Sequence, residues 1–239
     1  MIQNYLFDLY GTLVDIRTDE AKPSLWRRLA LLYSLQGAGY DGAELKRAYP
    51  SAVEREIDAL ARRYPHMPRA QIEPDILRVF RGLFADKGIL ATDEMVKDTA
   101  VAFRMLSLEH IRLYPGAKET LAALRAQGKG VYLLSNAQAS FTLPELAMLG
   151  LTPCFDGIVL SSQVGFKKPS SRIFSHLLSI YGLRAEACLM VGNDAAADIR
   201  GAAAMGMESR YIHTKQSPDR PGHWPDSCRE IESLLELVR

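Results

Sequence analysis

The sequence predicts an α/β fold in which a parallel β-sheet is interrupted by an all-helical insertion. In the second half of the chain, short apolar runs alternate with helical patterns. Such alternation is typical of a parallel sheet built from right-handed crossovers. After the first apolar run, residues 18–109 show the helical period alone.

The strands are predicted from apolar runs bounded by turn residues. The first covers residues 2–7, and the others are GVYLL at 130–134, GIVL at 157–160, CLMV at 188–191 and SRYI at 209–212. Helices are predicted between them at about 142–150, 170–181 and 195–205, and a short last helix at 230–238.

The helical stretch contains several amphipathic patterns. Ile76, Val79, Phe80, Leu83 and Phe84 follow the i, i+3, i+4, i+7, i+8 spacing of one helix face. Breaking segments such as GAGYDG at 37–42 and YPHMPR at 64–69 separate the helices. We therefore predict an α/β core made of residues 1–16 and 111–239, and a helical domain made of residues 17–110.

Composition excludes several classes of partner. Of 239 residues, 29 are basic and 28 acidic, which gives a formal net charge of +1. No broad basic surface is available to nucleic acid or anionic lipid, and no apolar run approaches the ~20 residues that span a bilayer. The N-terminus has no signal-peptide pattern, and Cys154, Cys188 and Cys228 fit neither a disulfide framework nor a zinc site. We expect a cytoplasmic protein with free thiols, either a monomer or a dimer.

Polar residues follow the predicted strands at the points where the strands end. Asp8 follows the first strand, and the others are Ser135 and Asn136 after GVYLL, Lys167 and Lys168 after GIVL, and Asn193, Asp194 and Asp198 after CLMV. In open parallel sheets, ligands bind outside the carboxyl ends of the strands. Each residue also has a structural interpretation, as a helix cap or a solvated charge. Their common position favours a single crevice.

In this order and spacing, the motifs resemble those of the haloacid dehalogenase (HAD) superfamily of hydrolases. They are DLYGTL at 8–13, LLSN at 133–136, KKPSSRIF around Lys168, and VGNDAAADIRGA at 191–202. The likeness covers nearly the whole chain. It implies a Rossmann-like core, and the helical stretch after the first motif agrees with the members that carry an α-helical (type C1) cap.

The resemblance implies a catalytic role for Asp8 as the nucleophile, which forms a covalent ester or acyl-phosphate that water later hydrolyses. Lys168 would offset the charge of an anionic substrate, and Asp198 would orient Lys168 or a metal-bound water. Thr12, Ser135 and Asn136, together with Lys168, would bind the substrate.

The resemblance also implies a Mg²⁺ cofactor, which prefers oxygen ligands. The implied ligands are Asp8, the backbone carbonyl of Tyr10, and the pair Asn193 and Asp194. Which member of that pair contacts the metal stays open.

Tyr10 departs from the phosphatase pattern. Phosphatases of this superfamily carry at that position a second Asp, which protonates the leaving alkoxide. A tyrosine, with a pKa of about 10, is a poor substitute near neutrality. The haloacid dehalogenases carry Tyr there, because halide leaves without a proton. The fourth motif argues the other way, since Asn193, Asp194 and Asp198 are suited to a divalent cation.

We therefore expect a hydrolase with an aspartate nucleophile, and most of all a Mg²⁺-dependent phosphatase of a small phosphorylated metabolite. Two alternatives stay open. One is a metal-independent 2-haloacid dehalogenase that acts on a small halogenated acid. The other is a catalytically degenerate HAD-fold protein that binds a ligand without turnover.

Overall fold

The computed structural model describes residues 1–218 and 223–238. Within these residues, the strands are β1 (Asn4–Phe7), β2 (Val14–Thr18), β3 (Leu108–Leu113), β4 (Gly130–Ser135), β5 (Gly157–Leu160), β6 (Cys188–Gly192), β7 (Glu208–Ile212) and β8 (Cys228–Ile231). Six of them form one parallel sheet in the order β5–β4–β1–β6–β7–β8. The antiparallel pair β2–β3 forms a second, small sheet.

The helices of the described residues are α1 (Pro23–Leu35), α2 (Gly42–Arg63), α3 (Ile76–Ala85), α4 (Asp93–Ser107), α5 (Ala117–Ala126), α6 (Ala139–Met148), α7 (Ser161–Val164), α8 (Ser171–Tyr181) and α9 (Arg200–Ala204). A π-helical turn, Ala195–Ile199, precedes α9, and a 3₁₀ turn, Leu234–Val238, follows β8. Within the described part of the chain, no helix is both long and apolar enough to cross a bilayer.

The main sheet is buried on both faces. Along β4, Val131 and Leu133 pack into one apolar cluster, whereas Leu134 packs into a second cluster with Leu6 and Met190. Successive side chains of a strand point to opposite faces, so a strand covered on both sides is apolar at nearly every position. This is why the strands are readable as apolar runs.

Helices α1–α4, here called the helical insertion (residues 23–107), have a core of their own. Its centre is aromatic, with Tyr33 and Phe84 ring centroids 4.2 Å apart and with Phe80 and Phe103 fully or almost fully buried. The chain enters the insertion from β2 and leaves it into β3. The predicted α/β fold with a helical insertion is confirmed, and the domain limits at 16/17 and 110/111, which fall within β2 and β3, stay a prediction.

Some local predictions were wrong. The last predicted helix, 230–238, begins instead as the edge strand β8, where Ile231 pairs with Ile212 of β7, and only residues 234–238 turn. The first strand begins at Asn4 rather than at residue 2. Strands β2 and β3 were not predicted. Short strands such as these depend on a partner that is distant in the sequence, so local pattern does not reveal them.

Candidate active site

The site begins at a tight turn after β1. Asp8 is the first residue after the strand, and it is buried. The chain then reverses direction, and the turn is held by hydrogen bonds from Gly11 N to the Val14 carbonyl (2.8 Å) and from Leu13 N to the Leu9 carbonyl (2.8 Å). Gly11 has a φ of +86°, and a Cβ at this position would collide with the Asn193 side chain. Glycine is therefore required both by the backbone conformation and by the close approach of the loop after β6.

Lys168 lies at the centre of the site. Its Nζ atom is 2.8 Å from Asp8 Oδ1, 2.6 Å from Asp198 Oδ1 and 2.7 Å from the Leu134 carbonyl oxygen. The Lys168 side chain is only 1% exposed. We call Lys168, Asp8 and Asp198 the lysine cluster. An ammonium buried to this extent needs oxygen partners, and three oxygens surround this one.

The electrostatics of the lysine cluster follow from its burial. Burial by itself lowers the pKa of Lys168, but the charges of Asp198 and Asp8 outweigh it and raise that pKa above its usual value. Burial raises the pKa of Asp198, with Lys168 opposing and the Asp8 charge adding to the rise. Two carboxylates thus share one ammonium.

Neighbouring hydroxyl and amide groups hold this arrangement in place. Ser135 Oγ donates to Asp8 Oδ1 at 2.9 Å. Thr12 Oγ1 lies 3.5 Å from Asp8 Oδ2 and 3.3 Å from Asn193 Oδ1. Asn136 Oδ1 accepts from the backbone N–H of Lys168 at 2.7 Å, while Asn136 Nδ2 donates to the Lys168 carbonyl at 3.1 Å. Asn136 therefore fixes the backbone from which the lysine extends.

The loop after β6 orients its two acids differently. Asp198 Oδ2 accepts from the backbone N–H of Asp194 at 3.0 Å, while Oδ1 pairs with Lys168. Asp194 Oδ1 accepts from the backbone N–H groups of Ala196 and Ala197 at 2.8 and 2.9 Å, which is helix capping. A Cβ on Gly192 would collide with the Asp198 carboxylate. The position of the Asp198 carboxylate therefore requires a glycine at residue 192 of β6.

These residues line one cavity of about 170 Å³, so the sequence-predicted groups come together. The lining consists of Asp8, Tyr10, Ser135, Asn136, Lys168, Asn193, Asp194, Ala197, Asp198, Gln216 and Pro218. Thr12 adjoins it through its contacts with Asp8 and Asn193. Sequence reasoning missed Gln216 and Pro218, which belong to the loop after β7. The only sequence signal was their position after a predicted strand, because Gln216 is placed by long-range contacts with β2 (Asp15 Oδ1, 3.3 Å).

The Tyr10 side chain makes contacts that the sequence did not predict. Its hydroxyl donates to Glu145 Oε2 of α6 and lies 3.0 Å from Thr142 Oγ1. Glu145 in turn pairs with Arg104 of α4, whose guanidinium carbon lies 5.7 Å from the centroid of the Tyr10 ring. Burial and the neighbouring Glu145 carboxylate raise the pKa of the phenol. We call Arg104, Glu145 and Tyr10 the arginine cluster.

The donors around the cavity fit a hard divalent cation. Asp8, Asn193 and Asp194, whose side chains carry carboxylate and amide oxygens, line the same cavity. Mg²⁺ in proteins is held by one or two carboxylates and otherwise by waters and substrate phosphate. In residues 1–218 and 223–238, no group of three or more His, Cys, Asp or Glu side chains is arranged to hold a metal ion. Asp198 is directed at Lys168 instead, so any cation would rely on fewer carboxylates.

The sequence matches the family model of the haloacid dehalogenase-like hydrolases over residues 2–206. The chain therefore belongs to the haloacid dehalogenase-like hydrolases. This membership agrees with the parallel sheet and with the aspartate at the end of its first strand.

Similarity to individual proteins is more distant. A ribulose-1,5-bisphosphate 5-phosphatase of Halopiger xanaduensis is 36% identical over 137 residues, a match that covers 55% of this chain and 57% of the relative. The chain thus spans little more than half the length of that relative. A phosphoglycolate phosphatase of Yersinia pestis is 30% identical over 205 residues, which cover 86% of this chain and 78% of the relative.

A solved structure shows the same fold. The 2-haloacid dehalogenase of Pseudomonas syringae pv. Tomato DC3000 superposes with a TM-score of 0.62 at 22% identity, over 100% of this chain and 98% of that one. At this identity the likeness concerns the fold alone.

Proposed function

We propose that this hydrolase is a Mg²⁺-dependent phosphatase of a small phosphorylated metabolite, with Asp8 as the nucleophile. The observation that carries the proposal is the environment of Asp8. The Lys168 ammonium at 2.8 Å and the Ser135 hydroxyl at 2.9 Å hold one carboxylate oxygen, at the wall of a polar cavity. A nucleophilic carboxylate needs such orientation, and an anionic substrate needs the positive charge.

In the proposed reaction, an oxygen of Asp8 attacks phosphorus while the bond from phosphorus to the leaving oxygen breaks. The bonding electron pair goes to the leaving oxygen, and water later hydrolyses the aspartyl-phosphate to inorganic phosphate. Lys168 offsets the negative charge of the phosphoryl group, and Asp198 positions Lys168 through their 2.6 Å ion pair. Once Asp8 carries the phosphoryl group, the Ser135 and Thr12 hydroxyls turn from its carboxylate to donate hydrogen bonds to phosphoryl oxygens. Asn136 holds the backbone of Lys168 throughout.

The proposed ligands of Mg²⁺ are Asp8, the Tyr10 carbonyl, Asn193 and Asp194. When bound, the cation would neutralise part of the phosphoryl charge. The lysine cluster supports this proposal, because two carboxylates share one ammonium and leave negative charge for a cation to balance.

The names of the relatives support a phosphatase. The Halopiger and Yersinia proteins are named for phosphatases that act on small phosphorylated compounds. By this likeness we propose that the substrate of this chain is also a small phosphorylated compound. A cytoplasmic location stays a prediction from the sequence.

The second candidate is a 2-haloacid dehalogenase, and the observation that favours it is the Tyr10 side chain. Its hydroxyl is hydrogen-bonded to Glu145 of α6. Halide needs no proton when it leaves, so such a site suits carbon–halogen cleavage. In that reaction Asp8 would displace halide from carbon and form an ester that water hydrolyses.

The test measures phosphate release from para-nitrophenyl phosphate and halide release from 2-chloropropionate, each with Mg²⁺ and with EDTA. We expect Mg²⁺-dependent phosphate release that Asp8→Asn abolishes and that Asp86→Asn, a surface control, leaves intact. Beryllofluoride with Mg²⁺ is expected to raise the melting temperature of the wild type but not of Asp8→Asn, which also excludes a catalytically degenerate site. Metal-independent halide release without phosphate release would overturn the phosphatase proposal.

A further inference from the structure

The Tyr10 hydroxyl has both of its hydrogen-bonding capacities in use. It has one proton, which it donates to Glu145 Oε2. The Thr142 hydroxyl, 3.0 Å away, therefore donates to the phenol oxygen. Both partners lie on α6 and are buried. The hydroxyl is thus committed to α6.

A cation from the helical insertion also binds the acceptor of that proton. Arg104 of α4 binds Glu145 at two points, Nε to Oε1 at 2.5 Å and Nη2 to Oε2 at 3.2 Å. The two side chains are 17% and 8% exposed. The Arg104 guanidinium carbon lies 5.7 Å from the centroid of the Tyr10 ring and 5.2 Å from that of Phe141. Charge-assisted hydrogen bonds of this two-pronged kind are the strong ones, so the phenol has a stable partner.

The other acids that line the cavity, among the described residues, are also engaged. Asp198 pairs with Lys168 and accepts from the backbone N–H of Asp194. Asp194 accepts from two backbone N–H groups of the following turn. Asp8 is the proposed nucleophile. Lys168 directs its ammonium at oxygens of Asp8, Asp198 and Leu134. Among the cavity-lining residues that the structure describes, the proton that a departing alkoxide needs therefore has no unengaged source.

We infer that Glu145 and Arg104 withdraw the Tyr10 hydroxyl from the reaction. The enzyme therefore selects phosphorylated compounds whose leaving groups depart without protonation. The substrate class is then acyl, enol or aryl phosphates rather than phosphates of simple alcohols. This inference rests on the proposed phosphatase function. The electron pair of the broken bond stays on a stabilised carboxylate, enolate or phenolate, and that anion takes a proton from water only where its basicity requires one.

The test compares acetyl phosphate with ethyl phosphate, two compounds of similar size whose leaving groups differ in basicity. Phosphate release is measured with Mg²⁺ and corrected for spontaneous hydrolysis. We expect kcat/KM for acetyl phosphate to exceed that for ethyl phosphate by about 100-fold or more, the rate factor that a general acid typically supplies. Phosphoglycolate, the compound for which the Yersinia relative is named, is expected to give a kcat/KM as low as that of ethyl phosphate.

The variant Tyr10→Phe removes the hydroxyl and keeps the ring. We expect it to leave the ratio of the two kcat/KM values unchanged, as should the control Tyr132→Phe in β4. A Tyr10→Phe enzyme that loses ethyl phosphate hydrolysis selectively would identify Tyr10 as the acid and overturn the inference. Equal kcat/KM for the two compounds would also overturn it, while leaving the phosphatase proposal intact. No phosphate release from either would overturn both.

Discussion

The lysine cluster and the arginine cluster are both buried ionic groups, but they are assembled differently. All members of the lysine cluster follow strands of the same sheet, whose carboxyl ends meet at one edge. The arginine cluster joins three separate parts of the molecule: Arg104 from the helical insertion, Glu145 from α6, and Tyr10 from the turn after β1. Sheet topology brings the members of the first to one edge, although the loop that carries Lys168 also bonds to the insertion, from Lys167 N to the Gln71 carbonyl. The second takes one of its three members from the insertion itself.

The two clusters also differ in charge balance. The lysine cluster has two carboxylates and one ammonium, with side chains of Lys168 and Asp198 both 1% exposed. The arginine cluster has one carboxylate and one guanidinium, plus a neutral phenol that donates to the carboxylate. An unbalanced buried charge favours a further cation, while a balanced pair is complete as it stands. The comparison teaches that the unbalanced cluster is the one suited to ligand binding.

The largest effect is expected from Lys168→Met. This change leaves Asp8 and Asp198 buried without their cation, so the free energy of unfolding should fall by about 3–5 kcal/mol. Urea denaturation measures this fall in Lys168→Met relative to the wild type, with Lys167→Met as the control. A loss of Lys168→Met no larger than that of the control would show that the lysine cluster is not held together by its charges.

Arg104→Met is expected to cost less, about 2–3 kcal/mol, because the Arg104 side chain is 17% exposed and water can partly solvate the remaining carboxylate. The double variant Arg104→Met, Glu145→Met removes the unpaired charge and should be more stable than Arg104→Met alone. Thermal and urea unfolding check this order. A double variant less stable than either single variant would show that this ion pair cannot be replaced by two apolar side chains.

Gly192→Ala tests how the lysine cluster is positioned. The new Cβ would collide with the Asp198 carboxylate and push it away from Lys168, at an expected cost of about 1–3 kcal/mol. The control is Gly39→Ala, where a Cβ meets nothing within 4 Å. Urea midpoints that shift equally in the two variants would argue against any tight fit between β6 and Asp198.

The smallest effect concerns a second contact between the insertion and the core. Glu73, which precedes α3, accepts hydrogen bonds from Gln138 Nε2 at 2.7 Å and from Ser161 Oγ at 3.0 Å. Burial raises its pKa above the usual 4.5, although these bonds and the charge of Lys167 oppose the rise. A carboxyl group whose pKa is higher in the folded state contributes stability below pH 4.5, and this contribution is lost as the pH rises through the folded-state pKa.

The melting temperature of the wild type, relative to that of Glu73→Gln, should therefore fall as the pH rises from 4.5 toward neutrality. Differential scanning fluorimetry across this pH range measures the difference. The exposed residue Glu94 offers the control: a pH trend of the same size with Glu94→Gln would not come from burial of Glu73. A Glu73→Gln difference that is also independent of pH would refute the prediction.

Much of the site was predictable because strand ends are marked in the sequence. Asp8, Ser135 and Asn193 each follow an apolar run that is buried on both faces, and neighbouring parallel strands bring their ends together. Glu145 could not be found in the same way. It lies on helix α6, and a glutamate on a helix ordinarily faces water. Its burial is tolerated because Arg104, from a helix distant in the sequence, pairs with it.

The sequence by itself determined the parallel core, the helical insertion, and the order of polar groups along the edge of the sheet, because local periodicity and strand ends encode these features. Only the tertiary structure decided which oxygens Lys168 contacts and where the Tyr10 hydroxyl donates its proton. The physical reason is that such contacts form between segments far apart in the chain. Their geometry depends on how the insertion and the sheet pack, and no local pattern records that packing.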